Sequence, residues 1–284
     1  MFNYLSEEAI ENFILSALNE DVGDGDHSSL ASIPQAAINR ARLIIKGDGI
    51  VAGIALAAKI FHYVNPSLKV DVFMKDGELV KYGDIVFSVE GDARAILTAE
   101  RLVLNCMQRM SGIATFTREL SSSIKHTGAK LLDTRKTTPN FRIMEKWAVI
   151  IGGGLNHRFG LFDMIILKDN HVDYAGGITK AIDATHAYLQ KTGRNLKIEI
   201  ETRNLDEVKE VLARGGVNRI MLDNMTIEQL KEAVSLIGQR YETEASGGIN
   251  RTTIKEVAET GVNYISVGAL THSVISMDMS LKAY

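Results

Sequence analysis

Arg135, Lys136, His157, Arg158 and Lys168 fall in one short stretch, carried by the phrases DTRKTTP, GGGLNHR and LKDNH between Asp133 and His171. Arginine offers a planar fork for carboxylate or phosphate oxygens and lysine a mobile point charge, so the mixture points to a small molecule bearing several anionic groups. The formal net charge is −3, so this basicity is local. Dispersed charges of both signs argue against a nucleic-acid or anionic-membrane binder, which needs a basic excess. Cys106 is the single cysteine, which excludes an internal disulfide and fits a reducing, cytoplasmic setting. The opening MFNYLSEEAIENFI is acidic and amphipathic, unlike a secretory signal, and no apolar run approaches the roughly 20 residues that span a bilayer.

The elements that must position these cations are visible as six strand-like runs: KLLD, DMIILK, LKIEIE, RIMLD, ETEAS and NYISVG, separated by helix-like segments. Such alternation predicts parallel strands joined by helical crossovers. Arg135, Lys168, Glu201, Asp223, Ser246 and Gly268 lie at or just past the carboxyl ends of these runs, separated by 33, 33, 22, 23 and 22 residues. In a β/α barrel those ends converge on the active-site face; an open doubly wound sheet would gather them at one edge, and the regular spacing favours the barrel. SGGI at Ser246–Ile249 and SVGALTHS at Ser266–Ser273 place glycine after the last two strands, where barrels often build a phosphate site. Taken singly, either glycine could serve only a turn. A phosphorylated sugar is the economical ligand.

Upstream, Ser6 followed by Glu7 and Glu8 precedes apolar residues at helical spacing, which predicts a capped N-terminal helix. ARLIIKG, LKVDVFM and DIVFSVE read as strands around a helical VAGIALAAKIFHYV, giving a small α/β sandwich, and a long helix follows from about Ala93 to His126. The domain division expected is 1–110 for the sandwich and 111–273 for the barrel, with a tail at 274–284 returning to the first domain.

TAERLVLNCMQRMSGIAT, DTRKTTP, EKWAVIIGGGLNHRFGLFDMIILKDNH, IEIET, MLDN, EASGGI and SVGALTHS occur in this order, with EDVGDGDHSS before them. This set closely resembles the quinolinate phosphoribosyltransferase family over nearly the whole chain. The resemblance implies an α/β fold, an incomplete β/α barrel of about seven strands with an N-terminal sandwich-like domain, working as a homodimer. It implies conversion of quinolinate and phosphoribosyl pyrophosphate to nicotinate mononucleotide, pyrophosphate and carbon dioxide, with Mg2+ and no organic cofactor. By motif, Arg135, His157 and Arg158 would hold the quinolinate carboxylates, and Lys136 and Lys168 would face substrate and phosphoribosyl anions. Arg101, in AERLVLN, would enter the neighbouring subunit's site. Glu201 and Asp223 would serve the ribose hydroxyls and the metal, and Ser246, Gly247, Gly248, Gly268 and His272 would surround the 5′-phosphate.

Some positions stay open in the sequence. Glu199 and Glu201 alternate with Ile198 and Ile200 and so face the same side, leaving either as the ligand; the family phrase favours Glu201. Asp163, Asn170 and His171 are expected to organise the Lys168 loop. After DTRKTTP the family usually continues Gly-Leu-Arg, whereas this chain reads Asn140, Phe141, Arg142, adding bulk beside the substrate loop. Rival readings are a paralogue of the same architecture associated with molybdenum utilisation, a barrel lyase using Lys168 as a Schiff base, and a phosphosugar-binding protein without turnover.

Overall fold

A computed structural model describes residues 4–284, which divide into two compact units. One comprises the residues up to Arg118 with Thr137–Gly153 and Leu270–Tyr284; the other comprises Glu119–Lys136 and Gly154–Ala269. In chain order the elements begin α1 (Glu7–Val22), α2 (His27–Ser32), β1 (Ile38–Ile45), β2 (Gly49–Ile50), α3 (Ile54–Val64), β3 (Lys69–Val72), β4 (Leu79–Val80), β5 (Ile85–Asp92) and α4 (Ala93–Ser123). They continue β6 (Lys130–Leu132), α5 (Arg142–Ile151), β7 (Ile165–Leu167), α6 (Asp169–Ala175), α7 (Ile178–Thr192), β8 (Ile198–Thr202) and α8 (Leu205–Arg214). The chain closes with β9 (Arg219–Asp223), α9 (Ile227–Ile237), β10 (Glu242–Ser246), α10 (Ile254–Ala258), β11 (Tyr264–Ser266), α11 (Ala269–His272) and β12 (Met279–Ala283).

In the first unit, β12, β1, β5 and β3 form an antiparallel sheet, so the C-terminal strand pairs with β1 in the register Leu43 to Leu281. The Ser6 side chain accepts a hydrogen bond from the Ala9 N–H at 3.1 Å and starts α1, whose Ile10 and Ile14 are buried. Helix α5 carries a fully buried acid, Glu145. Its carboxylate accepts from Arg109 Nε at 3.0 Å and Nη2 at 2.8 Å, and from the Thr138 N–H and hydroxyl at 3.1 and 2.9 Å. That buried ion pair fixes the chain that leaves the DTRKTTP phrase.

In the second unit the six strands foreseen from the apolar runs form one parallel sheet, ordered β6, β11, β10, β9, β8, β7. Leu155 adds a single parallel bridge to Leu132, so the place of a seventh strand is held by one residue. The sheet with its crossover helices is an incomplete α/β barrel. Every residue of β8 is buried, as expected for a strand covered on both faces. Ile198, Ile200, Ile220, Leu222, Ala245 and Ile265 supply apolar burial, while the alternate positions are charged: Glu199 and Glu201 on β8, Arg219 on β9, Glu242 and Glu244 on β10. The parallel register sets Glu199 beside Arg219 and Glu244 beside Met221.

Candidate active site

A cavity of about 310 Å³ in the second unit is lined by Arg135, Lys136, His157, Arg158 and Lys168 together with Thr134, Glu244, Ser246 and Ser266. Five of the cations singled out by spacing thus meet in one place. Arg135 and Lys136 follow β6, His157 and Arg158 follow the Leu155 bridge, and Lys168 follows β7. Asp133, fully buried at the end of β6, accepts from Asn156 Nδ2 at 2.6 Å and from the His157 N–H at 2.8 Å, and so pins the GGGLNHR turn beside the DTRKTTP segment. Arg158 Nη1 donates to the Met164 carbonyl at 3.1 Å, while Asp163 accepts from the Phe159 and Gly160 N–H groups at 2.7 and 2.8 Å. Burial and the adjacent Arg135 charge both press the Arg158 guanidinium below its ordinary pKa. A part-buried guanidinium set beside a second cation makes a ready anion site.

Lys168 caps α6, and its N–H donates to His171 Nδ1 at 3.0 Å, which gives His171 the loop-organising role expected of it. Lys168 Nζ lies 2.6 Å from Glu201 Oε2. A half-exposed ammonium paired with a carboxylate is unlike the buried, unpaired amine that Schiff-base chemistry uses. Asp223 ends the next strand and accepts from Asn224 Nδ2 at 2.6 Å. Glu201 and Asp223 thus stand on the neighbouring strands β8 and β9.

Below these ends lies an ionic cluster. His157 Nε2 is 2.9 Å from Glu199 Oε2 and 3.1 Å from Glu244 Oε2, and both carboxylates are fully buried. Arg219 Nη1 stands 2.9 Å from Glu244 Oε2 and 4.0 Å from Glu199 Oε2, and its guanidinium stacks 4.0 Å above the Tyr264 ring. Burial alone would lower the His157 pKa, but contacts with Glu199 and Glu244 outweigh it and raise it to about 9. The Arg158 N–H, 2.7 Å from Nδ1, favours a lone pair there and opposes that charge; two carboxylates at the other nitrogen are the stronger influence. Burial and the neighbouring Glu244 push Glu199 up. Glu244 is also raised by burial, yet His157, Ser266 and Arg219 bring it down overall. The three donor atoms of His157, Glu199 and Glu244 lie within 4.8 Å of one another, but Arg219 already supplies the compensating cation, so the set suits an ion-pair cluster better than a metal.

Asp133, Arg219 and Glu244 were not singled out in the sequence reading. The alternation within ETEAS and RIMLD was the available signal, since it places Glu242 with Glu244 and Arg219 with Met221 on shared faces. In the turn after β10, Gly247 and Gly248 have φ of 98° and 63°, and a Cβ on Gly247 would fall 2.2 Å from Asn224 Oδ1. Gly268 ends the strand run of β11 in the same unit. Arg101, exposed on α4, and His272, exposed in α11, belong to the first unit.

Comparisons with known proteins bear on this site. Residues 26–111 match the family model for the N-terminal domain of quinolinate phosphoribosyl transferase and residues 113–282 match that for its C-terminal domain. The chain is 52% identical over 281 residues to the chloroplastic nicotinate-nucleotide pyrophosphorylase [carboxylating] of Oryza sativa subsp. japonica, covering 94% of this chain and 75% of that one. It is 40% identical to the probable nicotinate-nucleotide pyrophosphorylase [carboxylating] of Bacillus subtilis (strain 168), over 92% of this chain and 89% of that one. Among solved structures, NadC from Streptococcus pyogenes superposes with a TM-score of 0.92 at 38% identity, covering 98% of this chain and 97% of that one. The nicotinate-nucleotide pyrophosphorylase from Francisella tularensis gives 0.91 at 36% identity, covering 99% and 98%.

Proposed function

The chain belongs to the quinolinate phosphoribosyltransferase family, and on that premise we propose that it transfers the phosphoribosyl group of phosphoribosyl pyrophosphate to quinolinate with loss of carbon dioxide. The product is nicotinate mononucleotide, on the route to NAD. The observation that carries this reading is the single cavity in which Arg135, Lys136, Arg158 and Lys168 converge. Quinolinate brings two carboxylates and the phosphoribosyl donor several phosphate oxygens, and clustered guanidinium and ammonium groups answer that demand.

Arg135 and Arg158 hold the pyridine dicarboxylate, with His157 in the same wall. Lys136 and Lys168 face the carboxylates and the donor's phosphates. Ser246, Gly247, Gly248, Gly268 and His272 receive the 5′-phosphate, where glycine backbone permits close approach. Glu201 and Asp223 accept from the ribose hydroxyls and would hold Mg2+, which would supply positive charge toward the pyrophosphate leaving group. As pyrophosphate leaves, positive character develops on the ribose, and fixed carboxylates near the sugar stabilise it without reorganising. Once alkylated, the pyridine nitrogen takes up the electrons released from the adjacent carboxylate, so the substrate is its own electron sink. We place the enzyme in a reducing cytoplasm, as a homodimer in which Arg101 enters the partner's site. Among the described residues no helix is long and apolar enough to cross a membrane.

Incubation with phosphoribosyl pyrophosphate, Mg2+ and either quinolinate or nicotinate tests the reading. Nicotinate mononucleotide and carbon dioxide are expected from quinolinate alone. No product from quinolinate, with phosphoribosyl pyrophosphate still binding, would shift the assignment to the molybdenum-associated paralogue.

A further inference from the structure

A pocket that receives a dicarboxylate ought to exclude acids, yet Glu244 lines it and Glu199 lies against the same imidazole, both fully buried. Burying carboxylates is costly, and an apolar filling of similar volume would stabilise a barrel at least as well. Their geometry shows what they act upon. Both reach one nitrogen, His157 Nε2, at 2.9 and 3.1 Å, from strands separated by β9, whose Arg219 braces Glu244. The opposite ring nitrogen, Nδ1, is met by the Arg158 N–H at 2.7 Å, and the His157 N–H is held by Asp133 at 2.8 Å. The imidazole is therefore held by a hydrogen bond at Nδ1 and faces both carboxylates at ion-pair distance at Nε2, and its orientation governs where the Arg158 main chain begins its reach into the pocket.

We propose that Glu199 and Glu244 are positioning residues for the dicarboxylate substrate: acting through His157, they fix the wall from which Arg158 meets quinolinate. This rests on the quinolinate reading. Neither acid touches the reacting atoms in this role. Their charge also offsets that of His157 and Arg219 at the pocket floor, leaving Arg135, Lys136 and Arg158 to set its attraction for anions.

Glu199→Gln and Glu244→Gln keep side-chain volume and remove charge. In steady-state kinetics with each substrate varied in turn, either change is expected to raise the quinolinate KM by about tenfold or more, the usual scale for losing an orienting partner. The KM for phosphoribosyl pyrophosphate should stay within about twofold. In a His157→Asn background neither glutamine should raise the quinolinate KM further, because the acids act through that ring. Equal rises in both KM values, additive effects with His157→Asn, or an unchanged quinolinate KM in a folded variant would each overturn the proposal. Should the glutamine variants fail to fold, the imidazole 15N signals of His157 in the wild-type protein decide instead. They should shift on adding quinolinate and stay put with inorganic phosphate, and no shift with quinolinate overturns the proposal. A wild-type protein inactive on quinolinate would reject the functional reading itself, a different result from active wild type with indifferent variants.

Discussion

His157, proposed to stand in the substrate wall, also bears on stability. Its imidazole has an ordinary pKa of 6.5 and a folded value raised to about 9 by Glu199 and Glu244. A raised value means that the native state holds the proton more tightly than the unfolded chain. The resulting stabilisation is complete below pH 6.5 and is lost as pH climbs through about 9. Urea-unfolding free energy should thus fall across that window by on the order of 2 to 3 kcal/mol, and His157→Gln should flatten the profile. Parallel profiles for the two proteins would refute the linkage. The cations of this site are legible in sequence because DTRKTTP, GGGLNHR and LKDNH gather them within one short stretch. Of the acids beside them, Glu199 is legible from its alternation with Ile198 and Ile200, though as a candidate ligand; Glu244 is not, because ETEAS has no apolar stripe to show which face is interior. Asp133 sat in a recognised phrase, but its partners Asn156 and His157 come from another turn of chain, a pairing that spacing does not reveal.

Among elements, the turns after β9 and β10 are locked together. Asn224, left-handed at φ 55°, donates its N–H to the Ser246 carbonyl at 2.8 Å, and its side chain fills the space over Gly247. Gly247→Ala would collide with Asn224 and must also adopt φ of 98°, which costs an L-residue about 1 to 2 kcal/mol. We expect a several-fold higher KM for phosphoribosyl pyrophosphate with little change for quinolinate; the reverse pattern would remove this turn from the phosphate site. Asn140 teaches a related lesson. Against the family's glycine it reads as added bulk, but its φ is 63° and its side chain is exposed. Asparagine is among the few residues that accept the left-handed region, so the turn keeps its shape. The neighbouring Phe141 starts α5 and sets its ring 5.5 Å from that of Phe13 on α1. Strand and helix order were readable from the apolar runs; backbone handedness at single residues was not.

At the scale of the whole molecule the charges pose a question. The chain carries a net −3, Lys168 is already paired with Glu201, and the substrates together present two carboxylates and a series of phosphate oxygens. Arg135, Lys136, Arg158 and the proposed Mg2+ answer part of that charge, and a cation from a second subunit would add to it. Arg101, exposed on α4, is the group proposed for this role. If each site draws Lys136 from one subunit and Arg101 from the other, a mixed dimer of Arg101→Ala and Lys136→Ala chains has one site with both defects and one intact site. Random exchange makes about half of the dimers mixed, so two nearly inactive proteins should recover roughly one quarter of wild-type activity on mixing. Recovery should scale with the mixed fraction, followed by differently tagged subunits in native mass spectrometry. Persistent inactivity after exchange has been verified would mean that each subunit builds its site alone, and that the balancing cation must be sought within the chain itself.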